Sequence, residues 1–470
     1  MKHPDRYLLF CLSLVATLAL AQERPAERSA QDRREFLKAE TLVSEDPRRV
    51  PVKALVKPSG ILVLRGGRIF DGTGAAIHDG TVVISENKIS KILPPNSNDW
   101  PADAKVIDVS GKTVMPGLID LHTHLTQPED GEYVNAISDS ASTLIAVDKL
   151  RIFIESGITS IRDVGSSSDV PFRLKEWVTK NRIPGPRIFA AGQFITGEGG
   201  HSTENTPDPM ILAEGATRMA SGPDDWRQAV REQFHRGADL IKLGSQFTSE
   251  EVHAAVSEAH DLGLKVTVDA ETFYIQRAVE AGADTIEHPL PRTDATIRLM
   301  AKKGIAADPT LTPYMIIFDK YGGYYDSTSR RFTFSKDANF DMLKRLKKAG
   351  VKCGVGTDLV VNWYRYLPVA YINELKQFVA AGWTIPEALS IATHINAQIL
   401  DMDDRLGSLE VGKLADVLVI AGMPDQNLDD LEHVETVIRG GFIVVDHGQI
   451  QTPRHEPVRD WKKDNKLDRF

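Results

Sequence analysis

One pattern recurs through the middle of this 470-residue chain: a glycine, a short run of apolar or β-branched residues, then a polar or charged residue. It appears as GITSIRDVG from position 157, GPRIFAAG from 185, GADLIKLG from 237, GLKVTVDA from 263, GADTIEHP from 282, GIAADPTLT from 304 and GVKCGVGTD from 350. VMPGLIDLHTHL, ending at position 125, makes eight such segments. Between most of them lie stretches such as SEEVHAAVSEAHDLG and FYIQRAVEAG, with apolar residues at helical spacing and a closing glycine that suits a helix C-cap. Near-continuous apolar strands alternating with helices imply a parallel sheet covered on both faces, and eight repeats predict a (β/α)8 TIM barrel.

The ends of the chain have a different texture. ILVLRGGRIFDGTG, TVVISENKISKIL and AKVIDVSGKTVM precede the barrel, and GSLEVGKLADVLVI and VETVIRGGFIVVDHGQI follow it. These are short strands with turn signals. Leaving and re-entering this texture predicts one small β-sandwich built from residues 59–115 and 403–452, beside a barrel over 116–402. Residues 22–58 read as a polar arm and 453–470 as a charged tail. The first 21 residues combine a short basic start, an apolar run and Ala19-Leu20-Ala21, the pattern of a cleaved signal peptide too short to span a membrane. Export to a periplasm or beyond is expected, with no stable membrane insertion.

Composition narrows the partners. At 42% hydrophobic and 26% charged the chain is of the ordinary globular type, and a net charge of −9 disfavours nucleic acid. A small-molecule or dipeptide-like substrate is expected. Of the two cysteines, Cys11 leaves with the signal, so Cys353 has no partner for an internal disulfide and reads as a small buried apolar residue.

In a barrel of this kind chemistry sits where strands end. His122 and His124 are two apart on an extended segment and face the same way, an arrangement that suits a metal. Lys242 stands inside an apolar run, His288 follows one, and Asp358 ends the eighth. Each alone admits a plainer role: a packed histidine, a lysine reaching the rim, a turn aspartate. Their occurrence together at successive strand ends is what points to a site.

PGLIDLHTHL, GITSIRDVG, GADLIKLG, GADTIEHP, GVGTD and GSLEVGKLADVLVI, taken in order, resemble the amidohydrolase superfamily over roughly residues 60–450. The branch is that of imidazolonepropionase-like enzymes and Xaa-Pro dipeptidases. The resemblance implies two divalent metal ions, zinc as the first expectation and a single ion or manganese as alternatives. His122 and His124 would bind one ion, an N-carboxylated Lys242 would bridge both, and His288 would bind the other. Asp358 would bind metal and act in catalysis by taking the proton of a metal-activated water. His201, in FITGEGGHSTEN, resembles a TGGH loop that contacts substrate; a flexible loop histidine is the plain alternative.

The sequence departs from the family at the end of the fifth strand, where a histidine ligand is usual and Asp269 stands instead. Asp269 could be a metal ligand, since carboxylate oxygen binds zinc. It could instead be the N-cap of the helix after the strand, leaving one ion, or it could mark a binding protein without catalysis. Arg162 and Asp163 read as a strand-end ion pair, Tyr314 as within possible reach of a substrate carbonyl, and His394 as structural. The function expected is cleavage of an amide or peptide-like C–N bond, with a dipeptidase favoured. A lactone or ester hydrolase on the same centre is the enzymatic alternative, and a periplasmic ligand-binding homologue the non-enzymatic one. No pair of carboxylates outside this set stands out as a glycosidase would require.

Overall fold

The structure, a computed structural model, describes residues 58–127, 138–201, 203, 215–322, 335–360 and 362–451. The expected signal peptide, nearly all of the polar arm and the charged tail lie outside the described residues. The chain enters through five short strands, β1 (Ile61–Ile69), β2 (His78–Ser85), β3 (Lys88–Leu93), β4 (Lys105–Asp108) and β5 (Thr113–Pro116). The barrel strands are β6 (Leu118–Thr123), β7 (Ile158–Asp163), β8 (Arg187–Ala190), β9 (Phe194–Thr196), β10 (Thr217–Met219), β11 (Leu240–Gly244), β12 (Lys265–Asp269), β13 (Thr285–Glu287) and β14 (Ala306–Asp308). The chain leaves through β15 (Val417–Ile420), β16 (Val434–Arg439), β17 (Phe442–Asp446) and β18 (Gln449–Ile450).

Strands from the two ends form one nine-stranded sheet in the order β18-β17-β16-β15-β5-β1-β2-β3, with β4 also pairing with β1. β5 is the joint, parallel to β1 and antiparallel to β15 in the register Val417 to Pro116. Leu64, Ile84, Val114, Val417 and Ile438 share one buried cluster that contains residues of β1, β2, β5, β15 and β16. A sheet that buries side chains against its own other strands must bend over on itself, which is how it makes a sandwich core. From β5 the chain runs through Gly117 straight into β6, so the sandwich joint also places the first barrel strand.

The ring is parallel throughout. β6-β7-β8 form one arc and β9-β11-β12-β13-β14 the other, with β10 an extra strand on the edge of β9. Between the arcs, Asp239 N–H donates to the Ala190 carbonyl at 2.8 Å, while β9 prolongs the third strand and pairs with β11. The third segment is therefore two short strands rather than one. At the other seam Cys353 bridges Ala307, Leu121 N–H donates to the Val355 carbonyl at 3.0 Å, and Asp358 N–H to the His122 carbonyl at 2.8 Å. The eighth segment thus closes the barrel as extended chain with scattered bonds instead of a regular strand. Glycine is the reason: a Cβ on Gly354 would lie 2.5 Å from Leu121, and one on Gly356 would lie 2.6 Å from the His122 Cβ.

Helices cover the ring: α1 (Asp139–Glu155), α2 (Val170–Thr179), α3 (Pro223–Arg236), α4 (Ser249–Asp261), α5 (Thr272–Ala281), α6 (Asp294–Lys303), α7 (Leu311–Tyr321), α8 (Lys336–Lys348) and α9 (Val369–Ala380). α5 ends on Gly282 at φ +93°, the left-handed cap its sequence predicts. α4 opens with a reciprocal cap between Thr248 and Glu251. Cys353 is buried, as expected of an apolar filler, and burial pushes its thiol up to about 12.

Gly356→Ala would place a methyl 2.4 Å from Asp308 Oδ2 and 2.6 Å from the His122 Cβ, in a region with no room to yield. A loss of about 2 kcal/mol or more is expected from overpacking, measured by urea unfolding; an unchanged midpoint would contradict this packing.

Candidate active site

The strand ends gather the predicted residues at one mouth of the barrel. His122, the fifth residue of β6, is fully buried, and its Nδ1–H donates to Glu287 Oε2 at 2.6 Å. That bond leaves Nε2 as the acceptor, and Nε2 is buried with no hydrogen-bond partner among the described residues. Burial, and then the charge of Lys242, push this imidazole down to about 3, so it stays neutral. His124, just past the strand, donates Nδ1–H to the Gly165 carbonyl at 3.0 Å, which turns its Nε2 inward. Both Nε2 atoms face Asp358 Oδ1, at 3.6 Å for His122 and 3.4 Å for His124.

Asp358 follows the closing segment with φ +45°, a left-handed turn that aims its carboxylate back over the barrel. Burial pushes its acidity down, but His122, His124 and His288 outweigh burial and hold the carboxyl well below its usual range. His288, after β13 at φ +63°, bonds through Nδ1 to Thr310 Oγ1 at 2.7 Å. Its Nε2 lies 3.3 Å from Asp269 Oδ2, and His201 Nε2 lies 3.3 Å from the same oxygen. Lys242, midway along β11, is buried and forms no hydrogen bond or ion pair with another described residue, while its charge acts on His122 and Glu287.

This set fits a cation. His122 Nε2 is buried with no hydrogen-bond partner among the described residues and turns its lone pair to Asp358 Oδ1 3.6 Å away, an arrangement left unsatisfied unless positive charge lies between them. Donor atoms of His122, His288 and Asp358 come within 4.8 Å of one another, close enough for one ion. A second such group, His122 with Glu287 and Asp308, already holds the Arg162 guanidinium: its Nη2 lies 2.7 Å from Glu287 and 3.3 Å from Asp308.

Several sequence expectations are corrected here. Asp269 is not the cap of α5: that helix begins at Thr272 with Glu271 in the cap position, and Asp269 is the last residue of β12 with its carboxylate turned to the two histidines. Arg162 and Asp163 do not pair. As neighbours on a strand they point to opposite faces, so Arg162 enters the barrel while Asp163 accepts from Leu125 N–H at 2.8 Å and Ser166 Oγ at 2.9 Å. His201 is not on a loose loop: its N–H donates to the Ser245 carbonyl at 2.7 Å, and a Cβ on Gly200 would lie 2.1 Å from that same oxygen. Tyr314 is buried and packs edge-on against His288 at 5.6 Å. His394, read as structural, meets the Gln398 amide four residues on at 3.0 Å, which does not alter that reading.

Sequence reasoning missed Glu287, whose Oε1 also accepts from Thr267, and Thr310. Glu287 carries the same signal as Lys242, a charge at a buried strand position, next to the more conspicuous His288. Asp120 was missed too: it joins β6 to the closing segment by accepting from His122 N–H at 3.0 Å, Thr357 N–H at 2.9 Å and Thr357 Oγ1 at 2.5 Å. Burial pushes that carboxyl up to about 7.

A closed (β/α)8 barrel with imidazoles, carboxylates and a buried lysine at the C-terminal mouth defines a barrel-enzyme site. The chain belongs to the amidohydrolase family, whose profile matches residues 113–444; that family typically binds metal. It is similar to the ochratoxinase of Aspergillus niger, 23% identical over 432 residues, covering 83% of this chain and 87% of that one. It is also similar to the imidazolonepropionase of a Geobacillus species, 24% identical over 410 residues and covering 80% and 92% of the two chains. Among solved structures, a prolidase complexed with N-methylphosphonate-L-proline superposes with TM-score 0.75 at 29% identity, over 82% of this chain and all 100% of the other.

Glu287→Gln keeps the shape but leaves the buried Arg162 with less negative charge. A loss of about 3 kcal/mol is expected in urea unfolding; a change below about 0.5 kcal/mol would show that the pair does not support the barrel.

Proposed function

We propose that this protein is an exported, metal-dependent amidohydrolase that cleaves an amide bond in a dipeptide-like substrate. The observation that carries the reading is the convergence of His122 and His124 on Asp358 and of His288 on Asp269, at the mouth of a barrel whose β11 buries Lys242. In this reading His122 and His124 would hold one divalent ion and His288 and Asp269 the other, with Asp358 as a further ligand. Lys242, if N-carboxylated by CO2, would offer an anionic two-oxygen ligand to both, and carboxylation would also remove the cost of an unpaired buried ammonium. Zinc suits the nitrogen-rich side, and Asp269 favours a harder ion such as manganese on the other.

When bound, the ions supply Lewis-acid activation of water and of the scissile carbonyl. The chain's own residues do the rest. Glu287 and the Gly165 carbonyl fix the tautomers of His122 and His124. Asp358 Oδ accepts the proton of the attacking water and delivers it to the leaving amine. His201, held beside Asp269, contacts the substrate. The prolidase neighbour, solved with a proline phosphonate, supports a dipeptide-like substrate, as does export, expected from residues 1–21, for a scavenging role.

Elemental analysis of the purified protein is expected to find two metal ions per chain, falling to one in Asp269→Ala. One ion in both forms would exclude Asp269 as a ligand, and none in either would favour a binding protein. Asp358→Asn is expected to lower kcat at least about 100-fold on an Xaa-Pro dipeptide, with a lactone panel as the competing substrate class. An extra carboxylate raises the proton affinity of the water held there, so the acidic limb of the pH–rate profile should move to lower pH in Asp269→His. A limb that stays in place would count against Asp269 as a ligand.

A further inference from the structure

α7 begins in an unusual way. Thr310 occupies its cap position, a place where a threonine hydroxyl ordinarily accepts from the helix's own first N–H groups. Here it makes no such bond: Thr310 has φ +44°, and its Oγ1 is committed to His288 Nδ1 at 2.7 Å. The N–H groups of Leu311 and Thr312 are therefore left without their usual acceptor, in residues that are themselves buried. Unsatisfied, each would be a costly buried donor.

Glu374 takes over that duty from a different helix. It stands midway along α9, fully buried, and turns both carboxylate oxygens to the start of α7. Oε1 accepts from Leu311 N–H at 2.8 Å, and Oε2 accepts from Thr312 N–H at 2.7 Å and Thr312 Oγ1 at 2.7 Å. One turn further along α7, Tyr314 packs against the His288 ring. The first turn of α7 therefore holds His288 through a hydroxyl and through an aromatic edge.

We propose that Glu374 is a positioning residue for His288. By capping α7 from outside, it frees the Thr310 hydroxyl to orient the imidazole and fixes where that hydroxyl stands. The orienting contact needs no metal; its consequence for metal affinity rests on the metal centre proposed above.

The test is a double-mutant cycle with Glu374→Gln and Thr310→Val, read in two ways. In metal-free protein labelled with 15N-histidine, with the His288 signal assigned by its loss in His288→Gln, both single variants are expected to shift the His288 ring nitrogens. The double variant should add little to either. In a cobalt(II) titration followed by absorbance, each single variant is expected to weaken binding about 10- to 100-fold, again without adding in the double. Losses that add, or lowered unfolding stability with the His288 signal and cobalt affinity unchanged, would reduce Glu374 to a structural cap and overturn the proposal. Should Glu374→Gln not fold, Thr312→Ala, which removes one of the three donors, takes its place, with a smaller shift of the same His288 signal expected and no shift overturning the proposal. Wild-type protein that binds no cobalt would instead refute the proposed metal centre, leaving the nitrogen shifts to decide the role of Glu374.

Discussion

Inside the barrel, the Glu287 carboxylate is shared between a guanidinium and an imidazole, and most of the site depends on that sharing. Oε1 meets Arg162 at 2.7 Å and Oε2 meets His122 at 2.6 Å. Burial alone would push this carboxyl up, but Arg162 and His122 outweigh burial and hold it well below its usual range. An anion kept charged there does two jobs. It neutralises an arginine that the barrel interior would otherwise exclude, and it decides which nitrogen of His122 carries the proton. Arg162 comes from β7 and Glu287 from β13, so the pair also spans the ring from one arc to the other.

The same charge arrangement orders the neighbouring acids. Asp308 sits beside Glu287 with only a share of Arg162, and burial together with Glu287 raises its carboxyl well above the ordinary range. Two carboxylates beside one cation cannot both stay ionised in so dry a place. The mouth above behaves oppositely, since imidazoles surround Asp358 and keep it ionised. Inside the barrel one carboxylate of the pair, Glu287, therefore keeps its charge against Arg162 while Asp308 is pushed toward its neutral form, and at the mouth Asp358 stays ionised.

The family relationship fixes the scaffold more firmly than the chemistry, because one barrel can carry different substrates by changing its mouth. Asp269 is where this chain differs from the motif it otherwise follows. The structure turns that carboxylate to His288, and brings His201 to the same oxygen from a loop pinned by Gly197 and Gly200 against Ser245 and Gln246. Exchange of a neutral donor for an anion at one strand end, with a histidine brought in beside it, is a local change that leaves the ring untouched.

The sequence by itself determined the repeat, because apolar strands and glycine-ended helices are local patterns that burial on both faces of a parallel sheet imposes. It also marked His122, His124, Lys242, His288 and Asp358, since polar side chains at the ends of, or inside, buried strands cost too much to be accidental. What it could not supply were relations between distant segments. That Arg162 ignores Asp163 and crosses to Glu287, that Asp269 ends a strand instead of opening a helix, that glycines close the ring without a regular eighth strand, and that Glu374 caps a helix 63 positions away are matters of which faces meet. Only the closed barrel brings those faces together, and a hydrogen bond across a ring leaves no periodic trace in the chain.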